Sequence, residues 1–282
     1  MRSPRADAAR SPRASSLAAT SSFSRRECDV LIVVSRETPS APPATPDVAR
    51  RVFSSERLPL IEAYAASLAD AGTVRGLIGP REVPRLWERH LLNCAVLAEA
   101  IPESSTVCDI GSGAGLPGLV LAVARPDLRL TLVEPLMRRT TYLSEVVEEL
   151  GLDTVEVVRG RAEVLHGART FDIVTSRAVA PLDRLLEWSM PLVADHGQLV
   201  AMKGSSLSEE IEVARTVLSR FHCTEPEPLT LGTGVIDPET FAVRVAWAEG
   251  RRVGLVAPAT SASKKKNSGA GGRKGQRSGG RR

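Results

Sequence analysis

The chain has 282 residues, 43% hydrophobic and 25% charged, the composition of a globular protein with room for one large domain plus extensions. Aromatics supply only 4%, so the core must be mostly Val, Leu, Ile and Ala. No apolar run approaches the ~18 residues that cross a bilayer, residues 30–34 and 118–124 being the longest candidates, which excludes an integral membrane protein built on helices. Cysteines at 28, 94, 108 and 223 show no CxxC spacing and no histidine in register. That pattern argues against a zinc site or a disulfide scaffold, predicts no metal, and fits a reducing, cytoplasmic setting.

The net charge of +4 is unevenly divided. Residues 1–26 carry six Arg against one Asp, and residues 264–282 carry eight Lys or Arg and no acid, so the segment between them holds a net −9. A basic tail can bind nucleic acid through phosphate charge. From a charge run alone, a solubilising extension is the simpler reading.

Residues 1–46 are rich in Arg, Ser, Ala and Pro, a composition that predicts a disordered extension. An Arg- and Ser-rich start also resembles a transit peptide, but Pro4 and Pro12 interrupt any amphipathic helix, which favours a disordered arm or a true start further downstream. The folded domain is expected over 47–250, with N-terminal helices in 47–104. Asp47 suits a helix cap, and Val52, Leu60, Ile61, Tyr64 and Leu68 mark helical turns up to Gly72. A second helix is expected from Pro84 to Ala100, with Leu86, His90, Leu91, Leu92, Val96 and Leu97 at helical spacing.

Strands and helices then alternate. Strands are predicted near 106–110, 129–134, 154–158, 171–175 and 197–203, and helices near 116–125, 136–150, 161–166, 181–194 and 206–220. Such alternation means parallel strands with crossover helices, hence an α/β, doubly wound core over 105–250. Strand-like runs near 222–231 and 240–247 have no helix between them, so a seven-stranded, mostly parallel sheet should end in an antiparallel hairpin. Residues 251–282 read as a disordered basic tail.

The strongest local signal is Asp109-Ile110-Gly111-Ser112-Gly113-Ala114-Gly115-Leu116-Pro117-Gly118, a strand running through a glycine-rich turn into a helix. Glycines reach positive φ and let a ligand approach the backbone. Glu134 ends the next strand, where a carboxylate can accept hydrogen bonds from ribose hydroxyls. Two ligand classes compete. Gly113, Gly115 and Gly118 fit the GxGxxG of dinucleotide sites, whereas residues 111–115 read GxGxG. Asp109 weighs toward the second, because a strand-end carboxylate repels a pyrophosphate and suits the ammonium of S-adenosylmethionine. The added C-terminal antiparallel strand agrees, by analogy of fold, with a class I methyltransferase (Rossmann-like).

These residues resemble the RsmG/GidB family of bacterial small-subunit (16S) ribosomal RNA guanine-N7 methyltransferases. The glycine run ending Leu116-Pro117-Gly118 carries the resemblance, followed in order by Arg89-His90, Arg138-Arg139, Ser176-Arg177-Ala178 and Lys203-Gly204. It spans about residues 50–248. It implies S-adenosyl-L-methionine as methyl donor and 16S ribosomal RNA in the small ribosomal subunit as partner, with no membrane and no obligate protein partner. Gly111, Gly113, Leu116, Glu134, Ala162, Glu163 and Arg177 become cofactor-site residues. Arg139, Lys203 and His90 become RNA- or substrate-contact candidates, with a structural role the commoner one for a histidine on an apolar helix face. The family often has Asn-Leu-Thr between its N-terminal helices, and here residues 73–79 read Thr-Val-Arg-Gly-Leu-Ile-Gly. Guanine N7 has an in-plane lone pair and no proton, so alignment suffices and no catalytic base is expected. The competing readings are a methyltransferase of the same fold acting on a protein or small molecule, and a non-catalytic nucleotide-binding or ribosome-associated module.

Overall fold

The computed structural model describes residues 42–250. The basic tail at 251–282, and all but the end of the 1–46 extension, lie outside them. Residues 43–45, counted with the extension by composition, are tied down: the Trp87 indole donates to the Pro43 carbonyl (3.1 Å) and the Thr45 hydroxyl to Glu62 (2.8 Å).

Seven strands form one sheet: β1 (Thr106–Ile110), β2 (Arg129–Glu134), β3 (Val155–Arg159), β4 (Phe171–Arg177), β5 (Val193–Met202), β6 (Glu227–Leu231) and β7 (Thr240–Ala246). Their order is β3-β2-β1-β4-β5-β7-β6. The first five are parallel, and β7 runs antiparallel to both β5 and β6, as the missing helix between the last two strands predicts. The direction of winding reverses between β1 and β4, and ligands of such sheets bind outside the carboxyl ends of the strands at that reversal.

The sheet is buried on both faces. Along β1, Val107 joins one core, while Cys108 and Ile110 join the other. The first core takes up the N-terminal helices with α4 (Gly118–Ala124) and α5 (Met137–Glu149). The second takes up α6 (Leu182–Ser189) and α7 (Leu207–Arg220).

The N-terminal layer departs from the expected pair of continuous helices. The first breaks into α1 (Ala49–Val52) and α2 (Leu58–Ser67), with Phe53 extended at the break and Pro59 in the first turn of α2. The second is a 3₁₀ segment Pro80–Arg85, a π segment Leu86–Leu91, α3 (Leu92–Ala95) and a 3₁₀ end Val96–Ala100. Pro84 lies inside the first of these, where it offers no backbone donor. The helix expected at 161–166 is a single 3₁₀ turn, Ala162–Leu165, and β5 begins four residues earlier than predicted. Among the described residues no helix is long and apolar enough to cross a membrane.

Candidate functional site

The turn after β1 is shaped by glycine. Gly111, Gly113 and Gly115 have φ of +69°, +60° and +103°. A side chain at Gly111 would also collide with Val179, which comes from the loop after β4. Gly118 has ordinary φ, but a Cβ there would strike Leu132 and the Asp109 carboxylate, so it serves close helix–strand packing. Tyr64 of α2 donates its hydroxyl to the Ala114 carbonyl at 2.7 Å and pins the turn from behind.

Asp109 takes a different place from the one its sequence position suggests. It is fully buried and does not line the neighbouring cavity. One carboxylate oxygen accepts the Gly118 amide at 3.0 Å, and the other is buried with no partner. Burial pushes its carboxyl up to about 7, with the Gly118 amide opposing. Asp109 therefore caps the start of α4 and does not reach a ligand's ammonium. The exclusion of pyrophosphate still follows, because the first amide of α4 is already taken by an acid.

A cavity of about 660 Å³ opens over this turn, within the ~300–1,000 Å³ of small-molecule sites. Ile110, Gly111, Gly113, Leu116, Glu134, Arg139, Ala162, Glu163, His90 and Arg177 all line it. Glu134 is 1% exposed. Its carboxylate accepts the Gly113 amide and the Leu136 amide, both at 3.0 Å, and lies 3.5 Å from the Arg139 guanidinium. Residues 77 and 78, from the segment that departs from Asn-Leu-Thr, supply Leu77 and Ile78 to the same wall.

A second cavity of about 770 Å³ shares His90, Arg177, Ala178 and Val179 with the first and is otherwise walled by Asn93, Lys203, Glu239, Thr240, Phe241 and neighbours. At the shared wall the Arg177 guanidinium donates to His90 Nδ1 (2.6 Å), the Arg89 carbonyl (3.2 Å) and Cys94 Sγ (3.4 Å). His90 Nε2 meets Glu82 at 2.9 Å. The imidazole is thus neutral, donating to Glu82 and accepting from Arg177. Burial and the Arg177 charge hold its pKa below the usual histidine range. Lys203 is not a free cation. Its ammonium donates to the Ala180 carbonyl (2.9 Å) and to Glu210 (2.6 Å), and its side chain is 6% exposed. Glu210 in turn accepts the Leu182 amide at 2.9 Å. The lysine read as an RNA contact is therefore a brace behind the loop 178–182.

Residues 57–227, more than half of the chain, match the model of the GidB family, described as rRNA small subunit methyltransferase G. A protein of that name from Nocardioides sp. is 65% identical over 220 residues, covering 78% of this chain and 86% of its own. Its namesakes from Streptomyces avermitilis and Thermobifida fusca are 55% and 52% identical, covering 76% and 78% of this chain and 89% and 92% of their own.

The chain belongs to the rRNA small subunit methyltransferase G family.

For a GidB-family methyltransferase on this sheet, the methyl donor is S-adenosylmethionine, and the first cavity fits it. Glu134 offers acceptors for ribose hydroxyls, Ile110, Leu116 and Ala162 give apolar lining, and nothing at the turn is arranged for a phosphate. All seven expected cofactor residues, with Arg139 and His90, come to this one cavity, and Lys203 to its neighbour. Sequence reasoning missed Tyr64, Val179, Glu82 and Glu210 as parts of the site. Tyr64, one of only two tyrosines, carried a faint signal, since a fully buried phenol needs a partner.

Proposed function

We propose that this protein transfers the methyl group of S-adenosylmethionine to N7 of one guanine in 16S ribosomal RNA. One observation carries the reading: a second cavity, large enough to admit a nucleotide, meets the cofactor cavity at the wall His90, Arg177, Ala178 and Val179, at the carboxyl end of β4. The donor supplies an electrophilic methyl on sulfonium. The chain's residues have to hold a purine edge in line with it and keep water out.

N7 brings its own lone pair and releases no proton, so the site needs no general base. The titratable group at the join fits that requirement. His90 is kept neutral, with both ring nitrogens engaged by Glu82 and Arg177. The end of β4 and the loop after it, residues 175–181, read Thr-Ser-Arg-Ala-Val-Ala-Pro and lack the Asn/Asp-Pro-Pro-aromatic sequence that orients an amino group for methylation. Arg89 and Arg139, both partly exposed at the cavities, offer positive charge to RNA phosphates on a domain that is otherwise acidic.

The test is to incubate the protein with labelled S-adenosylmethionine and either small ribosomal subunits or naked 16S RNA, then map the label. A single 7-methylguanosine is the expected product. Label on an exocyclic amine, a ring carbon or a protein would overturn the proposal.

A further inference from the structure

The second cavity is also lined by Glu239, Thr240 and Phe241, none of which lines the cofactor cavity. Two features of this lining are not explained by packing. Phe241 is 50% exposed in a chain with only five Phe, although Val243 and Val245, on the same face of β7, are buried. The Glu239 carboxylate has no hydrogen-bond or ion-pair partner among the described residues. Glu239 and Phe241 flank Thr240 at the start of β7, and both line the cavity.

We infer that Phe241 and Glu239 form the guanine-reading part of the acceptor cavity: Phe241 stacks on the base, and the two carboxylate oxygens of Glu239 take the donors of its Watson–Crick edge. This rests on the guanine reading above. Guanine offers N1–H and N2–H₂ on that edge, two donor groups side by side, which suit the two oxygens of one carboxylate. Adenine would set its N1 lone pair against them. The edge lies away from N7, so a base held by N1 and N2 leaves N7 free for the methyl donor, whose cavity adjoins this one at Arg177, Ala178 and Val179. An aromatic that stacks on a base tolerates any purine and supplies affinity, while the acceptors supply discrimination.

The experiment uses full-length 16S RNA assembled by ligation with guanosine or inosine at the guanine that the wild-type protein methylates. Inosine keeps N7, O6 and N1–H and lacks only the N2 amino group. Wild-type kcat/KM should fall about 100-fold on inosine, because the carboxylate loses one of its two donors. Glu239→Gln should lower kcat/KM on guanosine about 100-fold and shrink the preference over inosine to a few-fold. Phe241→Ala should raise KM about 10- to 100-fold, with the guanosine preference intact. Unchanged binding of S-adenosylhomocysteine by calorimetry shows that each variant is folded. Equal use of inosine by the wild type, or wild-type kinetics in both variants, overturns this inference and leaves the N7 reading standing. Absence of 7-methylguanosine with the wild-type protein overturns both.

Discussion

Asp109 holds its place against a cost. A carboxylate with one oxygen on the Gly118 amide and the other unpaired in the core is poorly stabilised when ionised, hence the rise to about 7. The unfolded group titrates near its ordinary 3.8. Between those values the native state holds one more proton than the unfolded state, so stability falls as pH rises from about 4 to 7 and stays reduced above. Asp109→Asn keeps an acceptor and removes the charge. Relative to wild type it should gain on the order of 3 kcal/mol between about pH 5 and pH 8, read from urea unfolding at each. No gain would refute this account. His90 has the opposite sign: its pKa is lowered, so the unfolded state takes up a proton first as pH falls, and stability is lost on the acid side of about 6.5. Imidazolium would also turn the Nδ1 acceptor into a donor facing Arg177. Methyl transfer should therefore show an acid limb, and His90→Asn should lose that limb while running roughly 10-fold slower. At Glu134, replacement by Ala removes the acceptor for the Gly113 and Leu136 amides together with the ribose partner. Calorimetry with S-adenosylhomocysteine should show affinity reduced by about 100-fold. Glu134 was legible from its distance to the glycine turn. The sequence showed Asp109 as an acid at a strand end but not that its carboxylate turns inward, because rotamer and burial are tertiary facts.

The elements around the turn act as supports. Arg57, just before α2, donates to the Val123 and Ala122 carbonyls at 2.9 and 3.2 Å, closing the otherwise open end of α4. Tyr64, in the second turn of α2, holds Ala114. Tyr64→Phe should cost about 1 kcal/mol and weaken cofactor binding several-fold, measured by thermal unfolding and calorimetry on one preparation. Behind loop 178–182, Lys203→Met leaves Glu210 partly buried without its counter-ion, a loss of about 3 kcal/mol. Adding Glu210→Met should recover most of the melting temperature. Methyl transfer should stay depressed, because the Ala180 carbonyl and Leu182 amide have lost their anchors. Recovery of both would reduce Lys203 to a plain ion pair. Periodicity located α4, α5 and α7 to within a few residues. It failed on the N-terminal layer, where Pro59, Pro84 and packing against α4 and the sheet divide apparently continuous helices into α, 3₁₀ and π pieces.

Across the whole molecule, the reversal of winding between β1 and β4 gathers the glycine turn, Glu134, the 162–163 turn and Arg177 at one end of the sheet, although they lie up to sixty-six residues apart in sequence. The charge distribution adds a long-range effect. Eight Lys or Arg at 264–282 follow an acidic domain, and deleting 258–282 should raise the apparent Kd for RNA, most at low salt. A salt-independent Kd in filter binding would remove that role for the tail. The sequence by itself determined the sheet, the glycine turn with its distal acid, and the family to which they belong, because strand–helix alternation and short motifs are local in the chain. Only the tertiary structure decided that Asp109 caps a helix, that Lys203 braces a loop, and that Phe241 and Glu239 line one cavity with His90 and Arg177. Those are contacts between segments far apart in sequence, and side-chain direction is set by packing that no local pattern encodes.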